Sequence, residues 1–108
     1  MSLLPEKSVA QCEVGLKLSS VTPASDQQKN GKIAFNVTAT GSYECIISIV
    51  SGSGITEVEK KNSSGNQLIT FENLEPWKYY QVLVIFNEED EFLCKKRVLS
   101  DIIIEEIK

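Results

Sequence analysis

A chain of 108 residues with 42% hydrophobic content holds one domain, whose core buries roughly 60–70% of the surface that the unfolded chain exposes. Its net charge of −4 argues against the basic face of a nucleic-acid or anionic-membrane binder. The absence of histidine removes Ser-His, Cys-His and His-metal chemistry together.

Residues 1–8 read as an introduced start or a linker on a domain cut from a longer protein, and 9–108 as the domain itself. Met1-Ser2-Leu3-Leu4-Pro5-Glu6 lacks the basic start and the full apolar stretch of a signal peptide. No run approaches the ~18 apolar residues of a membrane-spanning helix. The spacing predicts a first strand over 12–19, with Val14, Leu16 and Leu18 facing inward, stopped by Pro23 and the polar stretch 24–31. A second strand over 32–40 carries Ile33, Phe35 and Val37 on one face. Gly41-Ser42 turns the chain into a third strand over 43–50, apolar on both faces as a strand in the middle of a sheet should be.

Ser51-Gly52-Ser53-Gly54 supplies a hairpin connection to an edge strand over 55–61, whose exposed Glu57, Glu59 and Lys61 guard it against stray pairing. A polar loop at 62–66 leads to a short strand at 67–71, then a corner, a long strand at 79–86, an acidic hairpin loop at 87–91 and a closing strand at 92–104. Short strands at this spacing, with no amphipathic helix between them, predict an all-β sandwich. The expected order sets the first, second and fifth strands against the fourth, third, sixth and seventh. Leu16, Leu18, Phe35, Val37, Cys45, Ile47, Leu74, Tyr80, Val82 and Val84 form the expected core.

The segment Leu74-Glu75-Pro76-Trp77-Lys78-Tyr79-Tyr80-Gln81-Val82-Leu83-Val84 is the most specific in the chain. Pro76 breaks helix and sheet, and Tyr80, Val82 and Val84 then share one strand face. This pattern resembles the corner before the sixth strand of a fibronectin type III domain, with Tyr80 as its tyrosine corner and Leu74, Pro76, Val82 and Val84 as structural residues. The resemblance covers nearly the whole chain in strand order and length, although Val37 stands where the family usually carries Trp. It implies a seven-stranded antiparallel immunoglobulin-like sandwich serving as a non-catalytic, extracellular interaction or spacer module of a cell-surface receptor or adhesion protein, receptor tyrosine phosphatase ectodomains among them. An accessory module of a secreted enzyme and an intracellular structural repeat are the alternatives. The implied partners are a protein or neighbouring domains of the same chain, with no nucleic acid, no membrane insertion, no cofactor and a monomeric isolated domain. The family's last hairpin loop often carries a ligand motif, including Arg-Gly-Asp, which this chain lacks. The cytokine-receptor Trp-Ser-x-Trp-Ser signature is also missing, the late stretch reading Arg97-Val98-Leu99-Ser100.

Within that frame the chemistry-bearing residues are few. Three cysteines, Cys12, Cys45 and Cys94, leave one unpaired and offer no Cys-x-x-Cys pair for zinc. Cys45 is expected as a small core hydrophobe, two strand spacings, ~9.5 Å, from Cys94 and so beyond disulfide reach, which leaves a Cys12–Cys94 link open. Gly52-Ser53-Gly54 begins like a nucleotide loop, but no helix follows to aim amides at a phosphate. Glu88, Glu89, Asp90 and Glu91 gather four carboxylates without the spacing of a calcium loop, and are expected to be a solvated tip or a recognition loop for a basic partner, the Glu57/Glu59 edge being the other docking candidate. Asn36-Val37-Thr38 and Asn62-Ser63-Ser64 are glycosylation acceptors, Asn62 on the more open loop. Trp77 is expected to cover one end of the core, and the terminal strand to bury alternate residues of Ile102-Ile103-Ile104; the alternative is an exposed partner patch of Trp77, Tyr79 and these isoleucines, since Tyr79 lies opposite the inward Tyr80.

Overall fold

The computed structural model describes residues 14–25, 28–87, 89 and 94–107. The described residues form nine strands: β1 (Gly15–Thr22), β2 (Ala24–Ser25), β3 (Gly31–Thr38), β4 (Ser42–Ser51), β5 (Gly54–Ser64), β6 (Gln67–Leu74), β7 (Tyr79–Phe86), β8 (Lys96–Ile103) and β9 (Glu106–Ile107). They build a three-stranded sheet, β1-β3-β6, and a four-stranded sheet, β5-β4-β7-β8, both antiparallel, with a small parallel pair, β2-β9.

Nine strands in three sheets replace the seven in two that the sequence pattern predicts. The first strand runs past Ser19 to Thr22, absorbing its extra residue as a bulge between Leu18 and Ser20. Pro23, which has no N–H, ends it, and the chain crosses to the segment after β8, where Ala24 N donates to Glu105 O at 2.8 Å and β2 pairs with β9. What reads as a polar turn at 24–31 therefore begins with a buried anchor, Ala24 being 0% exposed.

Strict alternation carries the core. In β3 Ile33, Phe35 and Val37 are buried between exposed Lys32, Asn36 and Thr38, and in β7 Tyr80, Val82, Val84 and Phe86 are buried. Tyr43, Cys45 and Ile47 of β4 face them from one sheet, and Ile69 and Phe71 of β6 from the other, in one continuous cluster. Phe35 packs on Phe71 at 5.9 Å between ring centroids, and Tyr43 on Phe86 at 5.8 Å. Leu16 is only half-buried and Leu18 is exposed, against expectation. Leu18 pairs with buried Phe35, but β1 has a neighbour on one side alone, so the rim leaves it wet; beyond the bulge Val21 takes the inward position.

The expected 62–66 loop is shorter than its composition suggests. Pairing of β4 with β5 continues to Ser42 and Ser64, so the reversal falls on Gly65, at φ 70°, and Asn66. Tyr43 Oη donates to Gly65 O at 2.8 Å and Ala39 N to Asn66 Oδ1 at 3.0 Å, locking that turn. Lys61, expected on the solvent side of the edge strand, is half-buried because it pairs with core-facing Cys45. Its ammonium crosses to the other sheet, donating to Thr70 O and standing 5.1 Å from the Phe71 ring centroid. β6 also runs on to Leu74, three residues past the expected end.

Candidate functional site

The register of β4 on β7 sorts side chains into two faces. Tyr43, Cys45 and Ile47 oppose Phe86, Val84 and Val82 inside, whereas Glu44, Ile46, Ser48 and Val50 oppose Ile85, Leu83, Gln81 and Tyr79 outside. β8 extends the outer face with Val98 beside Leu83 and Ile103 beside Tyr79, and β5 extends it with Ile55 beside Val50. Ile46, Leu83, Ile85 and Ile103 are half-buried there, while Val50, Ile55, Tyr79 and Val98 stand exposed. An outward sheet face this rich in Ile, Leu, Val and Tyr departs from the usual inward-apolar, outward-polar alternation of an antiparallel sheet.

One end of this face is hollowed. The β7–β8 ladder steps from Tyr80↔Ile102 to Val82↔Leu99, so Ser100 and Asp101 together stand across from Gln81. Asp101 absorbs the bulge at φ 58°, a left-handed conformation that Asp and Asn tolerate better than most residues. The result is a groove of about 380 Å³ lined by Val50, Ser51, Gly52, Tyr79, Gln81, Ser100 and Asp101. Tyr79 is 56% exposed, and among the described residues Asp101 is the one charged side chain of the lining. The Asp101 carboxylate forms no ion pair, and the Gln81 and Tyr79 side chains form no hydrogen bond, among the described residues. Such an arrangement can stack, accept hydrogen bonds and attract a cation.

The sequence-predicted residues lie elsewhere. Leu74, Tyr80, Val82 and Val84 are buried and Pro76 is half-buried. The Tyr80 hydroxyl accepts from Glu75 N at 2.9 Å and stands 3.4 Å from Glu75 O, within reach to donate. Asn36 and Asn62 are both exposed, but Asn62 sits in strand β5 rather than in a loop. Glu88, Asp90 and Glu91 lie outside the described residues, and Glu89 is half-buried and engaged in an interaction. Glu57 and Glu59 are exposed on β5, where Glu57 pairs with Lys60 at 3.8 Å. Cys94 is disulfide-bonded, Cys45 is free and buried, and Cys12 lies outside the described residues. Burial pushes the Cys45 thiol up to about 11, against the pull of the Lys61 ammonium.

Trp77 does not cover the core. It is 57% exposed at φ 62° after Pro76, its N donating to Ile104 O at 2.7 Å and its Nε1 to Glu106 Oε1 at 3.3 Å. The Pro76-Trp77 turn needs a positive φ at its second central position, which leaves the indole outside. Ile102 and Ile104 are buried, with Ile103 half-buried between them. Of the groove residues only Tyr79 is marked in the sequence, facing outward opposite the inward Tyr80; Val50, Gln81, Ser100 and Asp101 are not among the candidates that composition and motif single out. Their available signal is the two-faced apolarity of 43–50 and of Tyr79-Tyr80, which reads as double burial until the sheet order leaves one face uncovered.

Among the described residues no group of three His, Cys, Asp or Glu side chains is placed to hold a metal ion, and no helix is long and apolar enough to cross a membrane. Comparison with family models, with curated proteins and with solved structures finds no match to this chain.

Proposed function

We propose that this chain is a non-catalytic protein-interaction module of a larger extracellular or cell-surface protein, built as a divergent fibronectin type III sandwich. The observation that carries the reading is the uncovered apolar outer face of β5-β4-β7-β8, running from Ile55 and Val50 through Tyr79 to Val98. Apolar side chains of this size on a solvent face stabilise nothing in the isolated domain, and they gain most when a partner removes them from water. The sandwich reading is supported by the sheet orders β1-β3-β6 and β5-β4-β7-β8 and by the Tyr80–Glu75 corner. The oxidising compartment is supported by the Cys94 disulfide.

The test displays the whole chain as a dimer against an array of defined extracellular proteins. Saturable capture that Val50→Asp and Tyr79→Ala abolish, with the fold unchanged by circular dichroism, supports the reading. Capture that ignores both substitutions, or none at all, refutes it.

A further inference from the structure

We propose that the groove at the β7–β8 bulge seats an arginine side chain of the protein partner, stacked on Tyr79 and paired with Asp101; this rests on the interaction-module reading. The lining offers one exposed aromatic ring and one carboxylate, with Gln81 and Ser100 beside them as further hydrogen-bond groups. A guanidinium satisfies all of these at once, because its planar fork donates to a carboxylate while its face stacks on an aromatic ring. A lysine ammonium, a hydrated point charge, makes the cation–π contact alone, without the planar fork or the face-to-face stack. The scale fits too: about 380 Å³ lies at the small end of ligand pockets, ~300–1,000 Å³.

Charge complementarity selects a cation over other occupants. Among the described residues no positive side chain lines the groove and none forms an ion pair with Asp101, and the chain as a whole carries −4. The surroundings select a protein over a sugar or a free cation. Val50 and Ile55 continue the groove as exposed aliphatic surface, which matches the water-excluding ring around an interfacial arginine anchor and offers a polyol nothing. The bulge adds pre-organisation, because the paired Leu99 and Ile102 on either side hold the backbone of Asp101 before any partner arrives.

The experiment is an amide NMR titration of the full chain with the blocked tripeptide Leu-Arg-Leu, its Leu-Lys-Leu and Leu-citrulline-Leu analogues, and maltotriose. The expected result is a saturable millimolar response to the arginine peptide confined to Gly52, Tyr79, Gln81, Ser100 and Asp101. It should be at least fivefold weaker with lysine and absent with citrulline. Asp101→Asn, which keeps a residue suited to the left-handed backbone, and Tyr79→Ala should each weaken it tenfold or more. Equal responses to the arginine and citrulline peptides, an unchanged response in Asp101→Asn, or a response to maltotriose alone would overturn the assignment. If the groove stays silent to arginine while Val50→Asp still abolishes capture on the protein array, the arginine assignment falls and the interaction reading stands.

Discussion

Lys61 of β5 closes the open side of the sandwich on Phe71 of β6, its ammonium 5.1 Å from the ring centroid while it donates to Thr70 O. These two strands belong to different sheets and share no ladder, so this one side chain spans the gap between the sheet edges. Lys61→Met keeps the aliphatic stem but removes the charge and the donor. It should destabilise the fold by about 1–3 kcal/mol, combining a cation–π contact with a lost charged hydrogen bond. The check is the urea midpoint at constant slope.

Tyr80 ties the corner before β7 to the strand itself, through its 2.9 Å bond from Glu75 N. Tyr80→Phe leaves the ring in place and strands that N–H, at a cost of about 1–3 kcal/mol. Equilibrium denaturation of the variant measures it, and an unchanged midpoint would remove the corner from the account.

Gly31 has room for no side chain. A Cβ there would meet Ile104 Cγ2 at 2.5 Å and Leu74 O at 3.1 Å, a side chain and a backbone group that converge where β3 begins. Gly31→Ala should cost about 1–3 kcal/mol through overpacking. In an Ile104→Ala background the same substitution should cost measurably less, a coupling that a double-mutant cycle reads directly.

The alkaline side of the stability profile is set by buried weak acids. Burial raises Cys45 from its ordinary 9.0 to about 11, and it also raises Tyr43 and Tyr80. Between pH 9 and 11 the unfolded thiol has lost a proton that the folded one keeps, so unfolding stability must fall as pH rises through that window and is fully present below it. Denaturation from pH 7 to 11 should show this decline, with a shallower slope in Cys45→Ala. Native alkylation of Cys45 at pH 8 should be slow compared with the denatured chain.

The fold was legible wherever one periodicity ruled. Phe35 and Val37, or Val82 and Val84, alternate with outward residues and leave no second reading, and the 79–86 boundaries coincide with β7. Legibility failed where backbone irregularity overrides pattern. The bulge at Ser19 reverses the facing of β1 so that Val21 turns in, while Leu18, ahead of the bulge, stays wet on the one-sided rim. Lys61 looks like an edge charge by composition, yet its register with Cys45 sends it toward the core rim. The groove was the least legible element. Asp101 and Ser100 meet Gln81 only because the β7–β8 ladder skips a step, and nothing local to residues 97–103 announces that skip.

Tyr79 and Leu68 offer a matched pair, 56% and 58% exposed, one on the outer face of the four-stranded sheet and the other on β6 of the opposite sheet. The most direct measurement of the central claim is the affinity of Tyr79→Ala and Leu68→Ala chains for the partner captured by the wild-type chain, with both variants first shown to be equally folded. An interfacial aromatic anchor is worth about 2 kcal/mol or more, so Tyr79→Ala should lose at least thirtyfold in Kd while Leu68→Ala stays within a factor of two. Equal affinities for the two variants, or a larger loss at Leu68, would contradict a binding surface on β5-β4-β7-β8.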